Sequence, residues 1–206
     1  MGRLIVLCLI FLSVLSFPGN TSALITGEIW QNALNSAKNP ALGPPSATAD
    51  ATFKVNGDIN FSGNTPSLTF GQFLNSPLVW QSSSIDPDKP MFSNTRKDPD
   101  QGIFFRFTWS LDLPAGLSPV TITHDDGFYF FDVSGNSAGK NGVFEGPLVS
   151  TFPVMVKDPG GYLSTLYYGA LNDTNTHVLI FSTPEPGSML LLALGIIGIG
   201  VLRKRK

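Results

Sequence analysis

The residues best suited to chemistry lie in one stretch, where His124 is followed by Asp125, Asp126 and Gly127. Two adjacent carboxylates repel each other unless a cation or hydrogen-bond donors offset their charge. Hard cations such as Ca²⁺ prefer carboxylate oxygens, and Gly127 permits the turn that would let both side chains converge. The pattern therefore predicts either a calcium site at Asp125 and Asp126 or a structural turn whose aspartates accept backbone amides.

Catalytic groups are sparse in this chain, so we predict that it is not an enzyme. His124 and His177 are the only histidines, and no Gly-x-Ser-x-Gly elbow is present. Glu28 and Glu145 are the only glutamates between the two ends, and a glycosidase needs a carboxyl pair at a defined separation. The single cysteine, Cys8, lies in the N-terminal apolar run and offers the middle of the chain no thiol nucleophile.

Short β-rich runs separated by turn residues fill the middle of the chain, which predicts an all-β, antiparallel β-sandwich. Only residues 27–37 are a candidate helix, and Asn56-Gly57 is a strong hairpin signal. The predicted strands are residues 52–55, 58–61, 67–70, 103–110, 120–124, 128–133, 154–156, 163–169 and 177–181.

Residues 82–102 are predicted to be a loop with four aspartates: Asp86, Asp88, Asp98 and Asp100. Alternating aspartates offer oxygen ligands to calcium. The segment lacks the glycine and terminal glutamate of an EF-hand loop. A solvated surface loop is therefore the favoured interpretation.

Residues 120–133 resemble the PA14-type β-sandwich, in which a strand leads into Asp-Asp-Gly and an apolar strand follows. The matching residues are Asp125, Asp126, Gly127, Asp132 and Gly135. The resemblance implies a jelly-roll type of sandwich. In sugar-binding members the paired aspartates hold a calcium ion that binds sugar hydroxyls, and this role passes to Asp125 and Asp126 only. Oxygen content alone suggests a second ligand loop around Asn172 and Asp173.

The N-terminus has the three parts of a secretory signal peptide. Arg3 gives the positive start, residues 4–17 are almost entirely apolar, and small residues lead to Ala23, after which we expect signal peptidase to cleave. The apolar run is shorter than the roughly 20 residues of a membrane-spanning helix. The alternative, a buried core helix, would show a polar face, and this segment shows none.

The C-terminus places a proline-rich motif, an apolar run over residues 189–201 and a basic end in that order. The motif is Pro184, Glu185 and Pro186, and the basic end is Arg203, Lys204, Arg205 and Lys206. This arrangement resembles the PEP-CTERM sorting signal of Gram-negative bacteria, which implies processing by an exosortase in bacteria that make exopolysaccharide. A basic cluster stays on the cytoplasmic side of a membrane helix, so the tail would tether the protein to the inner membrane. A plain membrane anchor is the alternative.

Between the two ends the chain is acidic, since residues 24–184 hold 8 Lys and Arg against 14 Asp and Glu, a net charge of −6. This balance excludes nucleic acid as a partner, because phosphate binding needs a basic surface. We predict a signal peptide at residues 1–23, an extracytoplasmic sandwich at 24–182 and a sorting tail at 183–206. The predicted function is structural or adhesive, at the cell surface or in the extracellular matrix of a biofilm. The alternative is a calcium-dependent carbohydrate-binding module, with polysaccharide as partner.

Overall fold

The structure is a computed structural model with two antiparallel sheets that face each other. It describes residues 24–57, 59–63, 67–93, 98–111, 116–132, 137–141, 148–156, 162–172 and 176–182. The predicted all-β antiparallel sandwich is confirmed.

Eleven strands and two short α-helices are described, together with a 3-10 turn at Pro40–Leu42. The strands are β1 Leu24–Trp30, β2 Ala51–Asn56, β3 Asn60–Gly63, β4 Val79–Ser82, β5 Asp98–Leu111, β6 Gly116–Asp125, β7 Phe128–Phe131, β8 Ser137–Asn141, β9 Leu148–Val156, β10 Tyr162–Asn172 and β11 Thr176–Ser182. The helices are α1 Leu34–Lys38 and α2 Phe70–Phe73.

The larger sheet has seven strands in the order β4-β2-β1-β5-β10-β7-β8, and the smaller has four in the order β3-β11-β6-β9. Every pairing between described strands is antiparallel. The chain leaves the smaller sheet at the end of β6 and enters the larger one at β7. The Asp-Asp-Gly turn is therefore a crossover between the two sheets.

Phenylalanine fills much of the space between the sheets. Phe61 of the smaller sheet meets Phe107 of the larger one with 5.4 Å between ring centroids, and Phe107 stacks on Phe105 at 5.6 Å. All three rings are at most 2% exposed. Burying such a side chain contributes about 1.5–3 kcal/mol, so this sandwich is held by packing without any disulfide.

Helix α1 lies directly on two glycines of the larger sheet. A Cβ at Gly169 would come within 2.0 Å of the Ala37 carbonyl oxygen. A Cβ at Gly102 would lie 2.9 Å from the Cβ of Ala37. Only glycine at these positions allows the helix backbone to approach so closely, and the helix covers the end of β10 that supports the Asp-Asp-Gly turn.

The predicted helix at residues 27–37 is wrong over most of its length. Residues up to Trp30 form β1, and α1 begins only at Leu34. In β1 the burial alternates, but Gly27 occupies one of the buried positions. The Phe53 ring lies where its side chain would be, 2.0 Å from a Cβ built there. Because Gly27 stands at a position where an apolar side chain would be expected, the sequence of β1 does not show the alternation of a strand.

Two further sequence predictions are wrong. Residues 67–70 are not a strand, because Thr69 and Gln72 form a reciprocal capping box that starts α2. Asn56-Gly57 does not close a hairpin, because β2 and β3 belong to different sheets. Gly57 does take a positive φ of 113°, as the turn signal requires, but the turn carries the chain from one sheet to the other.

Both predicted terminal segments, residues 1–23 and 183–206, lie outside the described residues. This covers the signal peptide with Ala23, the motif Pro184 to Pro186 and the basic end. Neither short helix in the described ranges has the length and apolar character needed to cross a bilayer.

Candidate functional site

The turn of Asp125, Asp126 and Gly127 is buried at one end of the sandwich. Asp125 is 1% exposed and Asp126 is 0% exposed. Asp126 has φ +74°, in the left-handed region. That conformation costs a non-glycine residue of the order of 1 kcal/mol. The sequence suggested Gly127 as the residue that permits the turn, and the structure adds that Asp126 takes the left-handed conformation in it.

Hydrogen bonds from strand β10 hold this turn. The Leu171 amide donates to Asp126 Oδ2 at 2.8 Å, and the Gly169 amide donates to the Gly127 carbonyl at 3.0 Å. The buried Tyr168 hydroxyl donates to the Asp125 carbonyl at 2.7 Å. Both the carboxylate of Asp126 and the backbone of the turn are thus fixed against the larger sheet.

His124 holds the turn from the other side. Its buried ring lies 2.7 Å from the Asp126 carbonyl through Nδ1, and a carbonyl only accepts hydrogen bonds, so Nδ1 carries the proton. Nε2 faces the Ser150 hydroxyl of β9 at 3.1 Å, and the ring packs edge-on to Phe128 at 4.7 Å. The imidazole therefore links β6, β9 and the left-handed residue.

The carboxylate and amide oxygens around the Asp-Asp-Gly turn are of the kind that hard cations prefer. The Asp126 carboxylate meets the end of β10, where Asn172 follows Leu171 and lies opposite Asp98 in the sheet, and the buried Asp125 is its neighbour in the chain. A carboxylate has two oxygens with about four acceptor sites, so accepting one amide still permits metal coordination. In the described part of the chain, however, no three His, Cys, Asp or Glu side chains gather at one point. Backbone and amide oxygens would have to complete the six to eight ligands typical of calcium.

The other aspartates singled out in the sequence serve local structure. Asp86 accepts the Asp88 amide at 2.9 Å, and Asp98 accepts the Asp100 amide at 3.0 Å. Asp98 also opens β5, so the segment predicted as a loop over residues 82–102 ends in a strand. Asp173, proposed with Asn172 as a second ligand, lies outside the described residues.

Sequence reasoning missed the residues that support the aspartates. Tyr168 is at a buried position of an alternating strand, and the alternation of β10 could have indicated an inward tyrosine whose hydroxyl needs a partner. The contacts of His124 with Ser150 and of Asp126 with Leu171 join residues 26 and 45 positions apart. No local pattern signals such pairs.

Comparisons with known proteins identify one segment and the fold. A family model described as the PEP-CTERM protein-sorting motif matches residues 182–206. A search of curated protein sequences found no match to this chain.

Similar solved structures include PA14 domains and an adhesin domain. Their sequence identity to this chain is under 25%, so the similarity shows the fold alone. The "PA14 sugar-binding domain from RTX adhesin" is 19% identical, covers 78% of this chain and 88% of its own, and has a TM-score of 0.50. The PA14 domain of the MpAFP antifreeze protein is 19% identical over 82% and 87%, with a TM-score of 0.54. The A domain of epithelial adhesin 9 from Candida glabrata, in complex with Galb1-4GlcNAc, is 15% identical over 80% and 84%, with a TM-score of 0.50. The chain therefore carries a PEP-CTERM protein-sorting motif at residues 182–206, which implies export and exosortase-dependent sorting to the cell envelope, and its sandwich has the fold of PA14 domains.

Proposed function

We propose that this exported protein is an adhesin of the cell surface or matrix whose sandwich binds carbohydrate through a calcium ion held by Asp125 and Asp126. The observation that carries the proposal is the buried pair of adjacent carboxylates, with Asp126 in the left-handed region. Strained backbone conformations persist where the surrounding structure fixes them, and they concentrate at ligand sites.

Burial of the two carboxylates favours an ion as the intermediary. Side chains that are 0–1% exposed are out of reach of direct hydrogen bonds from a sugar. A calcium ion offsets the repulsion between the carboxylates and presents open coordination positions to sugar hydroxyls. The protein's own part is to hold the aspartates in place, through His124 on one side and β10 on the other.

The similar structures support the same class of function. One is titled a sugar-binding domain of an adhesin, and another is an adhesin domain with a bound disaccharide. A sorting tail delivers such a module to the envelope, where sugars of an exopolysaccharide would be its ligands. The adhesive role and the biofilm setting are parts of this proposal.

Glycan binding with and without a chelator tests the calcium site. The Asp126→Asn variant keeps an oxygen that can accept the Leu171 amide but loses the negative charge. Asp50→Asn is a matched control, because Asp50 also accepts a backbone amide, that of Gln31 at 2.8 Å. We expect wild type and Asp50→Asn to bind at least one glycan of an array in calcium and to release it in EDTA, and Asp126→Asn not to bind that glycan in calcium. The proposal is overturned if the wild type binds no glycan in a calcium-dependent manner, or if Asp126→Asn binds the calcium-dependent glycan as wild type does.

A second candidate is a structural envelope protein in which the aspartates only organise the turn. The bonds from Leu171 to Asp126 and from Tyr168 to Asp125 favour it, because they stabilise the crossover without an ion. In that case calcium leaves the unfolding temperature of the wild-type chain unchanged, and no glycan is retained in calcium that is not retained equally in EDTA.

Exosortase processing has a test of its own in the native host. Replacing Pro184, Glu185 and Pro186 with alanine removes the motif and keeps the apolar run and basic end. We expect the variant to keep its C-terminal residues, which mass spectrometry of the envelope fraction can detect. A matched change of Thr183 and Gly187 to alanine should leave processing intact. Identical mature C-termini in the wild type and the motif variant would contradict exosortase processing through this motif.

A further inference from the structure

We infer that the outer face of the seven-stranded sheet is a second, calcium-independent binding surface, and that it takes a linear, uncharged polysaccharide. This surface shares no residue with the Asp125–Asp126 turn. It is defined by two rows of side chains that cross the strands, and we call the two rows together the outer strip.

The register of the sheet gives the members of each row. The first row is Gln81, Thr52, Glu28, Arg106, Tyr167 and Tyr129. The second row is Val79, Lys54, Thr26, Thr108, Thr165 and Phe131. All twelve are exposed or half-buried. The residues between them on the same strands are buried, except Trp80, which is half-buried and packs against the core. Both rows therefore lie on the face turned away from the core.

The strip is polar where β4, β2, β1 and β5 cross it. A groove of about 360 Å³ lies there, lined by side chains of both rows. Glu28 and Arg106 form an ion pair at its floor, with side chains 28% and 38% exposed. The pair largely cancels its own charge, yet it keeps acceptor and donor sites for sugar hydroxyls. Lys54 also lines the groove and is exposed, so solvent screens its single positive charge. Because these lining residues hold no cluster of positive charges, an uncharged, hydroxyl-rich ligand fits the groove better than a phosphate or a peptide carboxylate does.

The strip is aromatic where β10 and β7 cross it. Ring centroids lie 4.8 Å apart for Tyr129 and Phe131, and 5.0 Å apart for Phe131 and Tyr167. All three rings are half-buried, so each keeps part of its surface toward solvent. A sugar ring has an apolar C–H face and a polar rim, and the electron-rich face of an aromatic ring complements the C–H face.

The length and the centre of the strip distinguish an extended sugar chain from other ligands. The six strands that the two rows cross lie about 4.8 Å apart and span about 24 Å, which exceeds the reach of a single sugar. A protein partner is less suited, because interface centres are depleted in charged residues and the Glu28–Arg106 pair lies midway along the strip. Polar and aromatic groups in one line match consecutive sugar rings.

Affinity electrophoresis of the purified full chain tests this inference. The gels contain EDTA and one of four soluble neutral polysaccharides: xylan, mannan, β-1,3-glucan or hydroxyethylcellulose. We expect at least one of them to retard the wild-type chain. The Tyr129→Ala/Tyr167→Ala variant should bind it about tenfold more weakly, since two stacking surfaces are lost. Tyr167→Phe keeps the ring, so it should bind more tightly than the double variant does.

Further variants guard against misfolding and separate the two surfaces. Thr52→Ala/Gln81→Ala changes two exposed side chains, folds as wild type, and should weaken binding severalfold. Thr123→Ala, on the outer face of the smaller sheet, should have no effect. Asp126→Asn should bind normally in EDTA even if it loses calcium-dependent binding, so the failure of one surface does not imply failure of the other. The inference is overturned if no polysaccharide retards the wild type in EDTA, or if both strip variants migrate as wild type does.

Discussion

The Asp125–Asp126 turn and the outer strip are built in opposite ways. At the turn, two adjacent carboxyl groups are buried. The Asp126 carboxylate is held by a long-range bond from β10, and the Asp126 carbonyl by a local bond from His124. On the strip, Glu28 and Arg106 compensate each other at the surface, and the register of the sheet alone aligns their neighbours. A cation can compensate a buried pair of carboxylates, whereas a charge-paired and half-exposed surface can bind a neutral ligand directly. Our two proposals therefore assign two kinds of recognition to the same sandwich.

The largest difference between the two regions should appear in the unfolding free energies of two single variants of β10. Gly169→Ala pushes a Cβ against the Ala37 carbonyl, 2.0 Å away, and should destabilise the protein by about 3 kcal/mol or more. Thr165→Ala, four residues earlier and on the strip, should cost about 1 kcal/mol or less. Urea unfolding of both variants measures this. Similar losses in the two would mean that the turn region is no more tightly packed than the strip.

Next in size is the effect of removing the imidazole beneath the turn. His124→Ala leaves a cavity and takes the donor from the buried Asp126 carbonyl, so we expect a loss of about 3 kcal/mol. Ser150→Ala removes only the other partner of the ring and should cost about 1 kcal/mol. The unfolding free energies of both single variants and of the double variant give the interaction energy between His124 and Ser150. A His124→Ala variant no less stable than Ser150→Ala would contradict the supporting role of the ring.

The smallest expected difference in stability is between variants of two adjacent tyrosines, whose side chains lie on opposite faces of β10. Tyr168→Phe removes the buried hydroxyl that donates to the Asp125 carbonyl and should cost about 1–2 kcal/mol. Tyr167→Phe changes a half-buried ring of the strip and should stay within about 0.5 kcal/mol of wild type. Thermal unfolding of the pair checks this. Equal stability of the two variants would show that the hydroxyl does not hold the turn.

Much of the sandwich could be predicted from sequence, because strand period is a local property. The alternation through Val120, Ile122 and His124 and the aromatic run at residues 128–131 indicated β6 and β7 correctly. β1 was missed because Gly27 makes room for Phe53, which is 26 residues away. α2 was missed because an apolar run concealed the capping box of Thr69 and Gln72.

For the site, the sequence indicated the aspartates but not their surroundings. Asp125 and Asp126 stood out because adjacent carboxylates need compensation. Their burial, the left-handed φ of Asp126 and the bond from Leu171 depend on how two sheets and β10 meet. The outer strip depends in the same way on the register of six strands. Such properties arise only when distant segments are brought together.

Calcium-dependent unfolding of the purified chain tests the central claim, that Asp125 and Asp126 hold a calcium ion. At a concentration 100 times the dissociation constant, an ion that binds only the folded state stabilises it by about 2.7 kcal/mol. For a domain of this size that corresponds to a rise of about 5–10 °C in the unfolding temperature. We predict this rise for the wild type and for Asp50→Asn, and no rise for Asp125→Asn/Asp126→Asn. A wild-type unfolding temperature that is the same in millimolar calcium and in EDTA would contradict the claim.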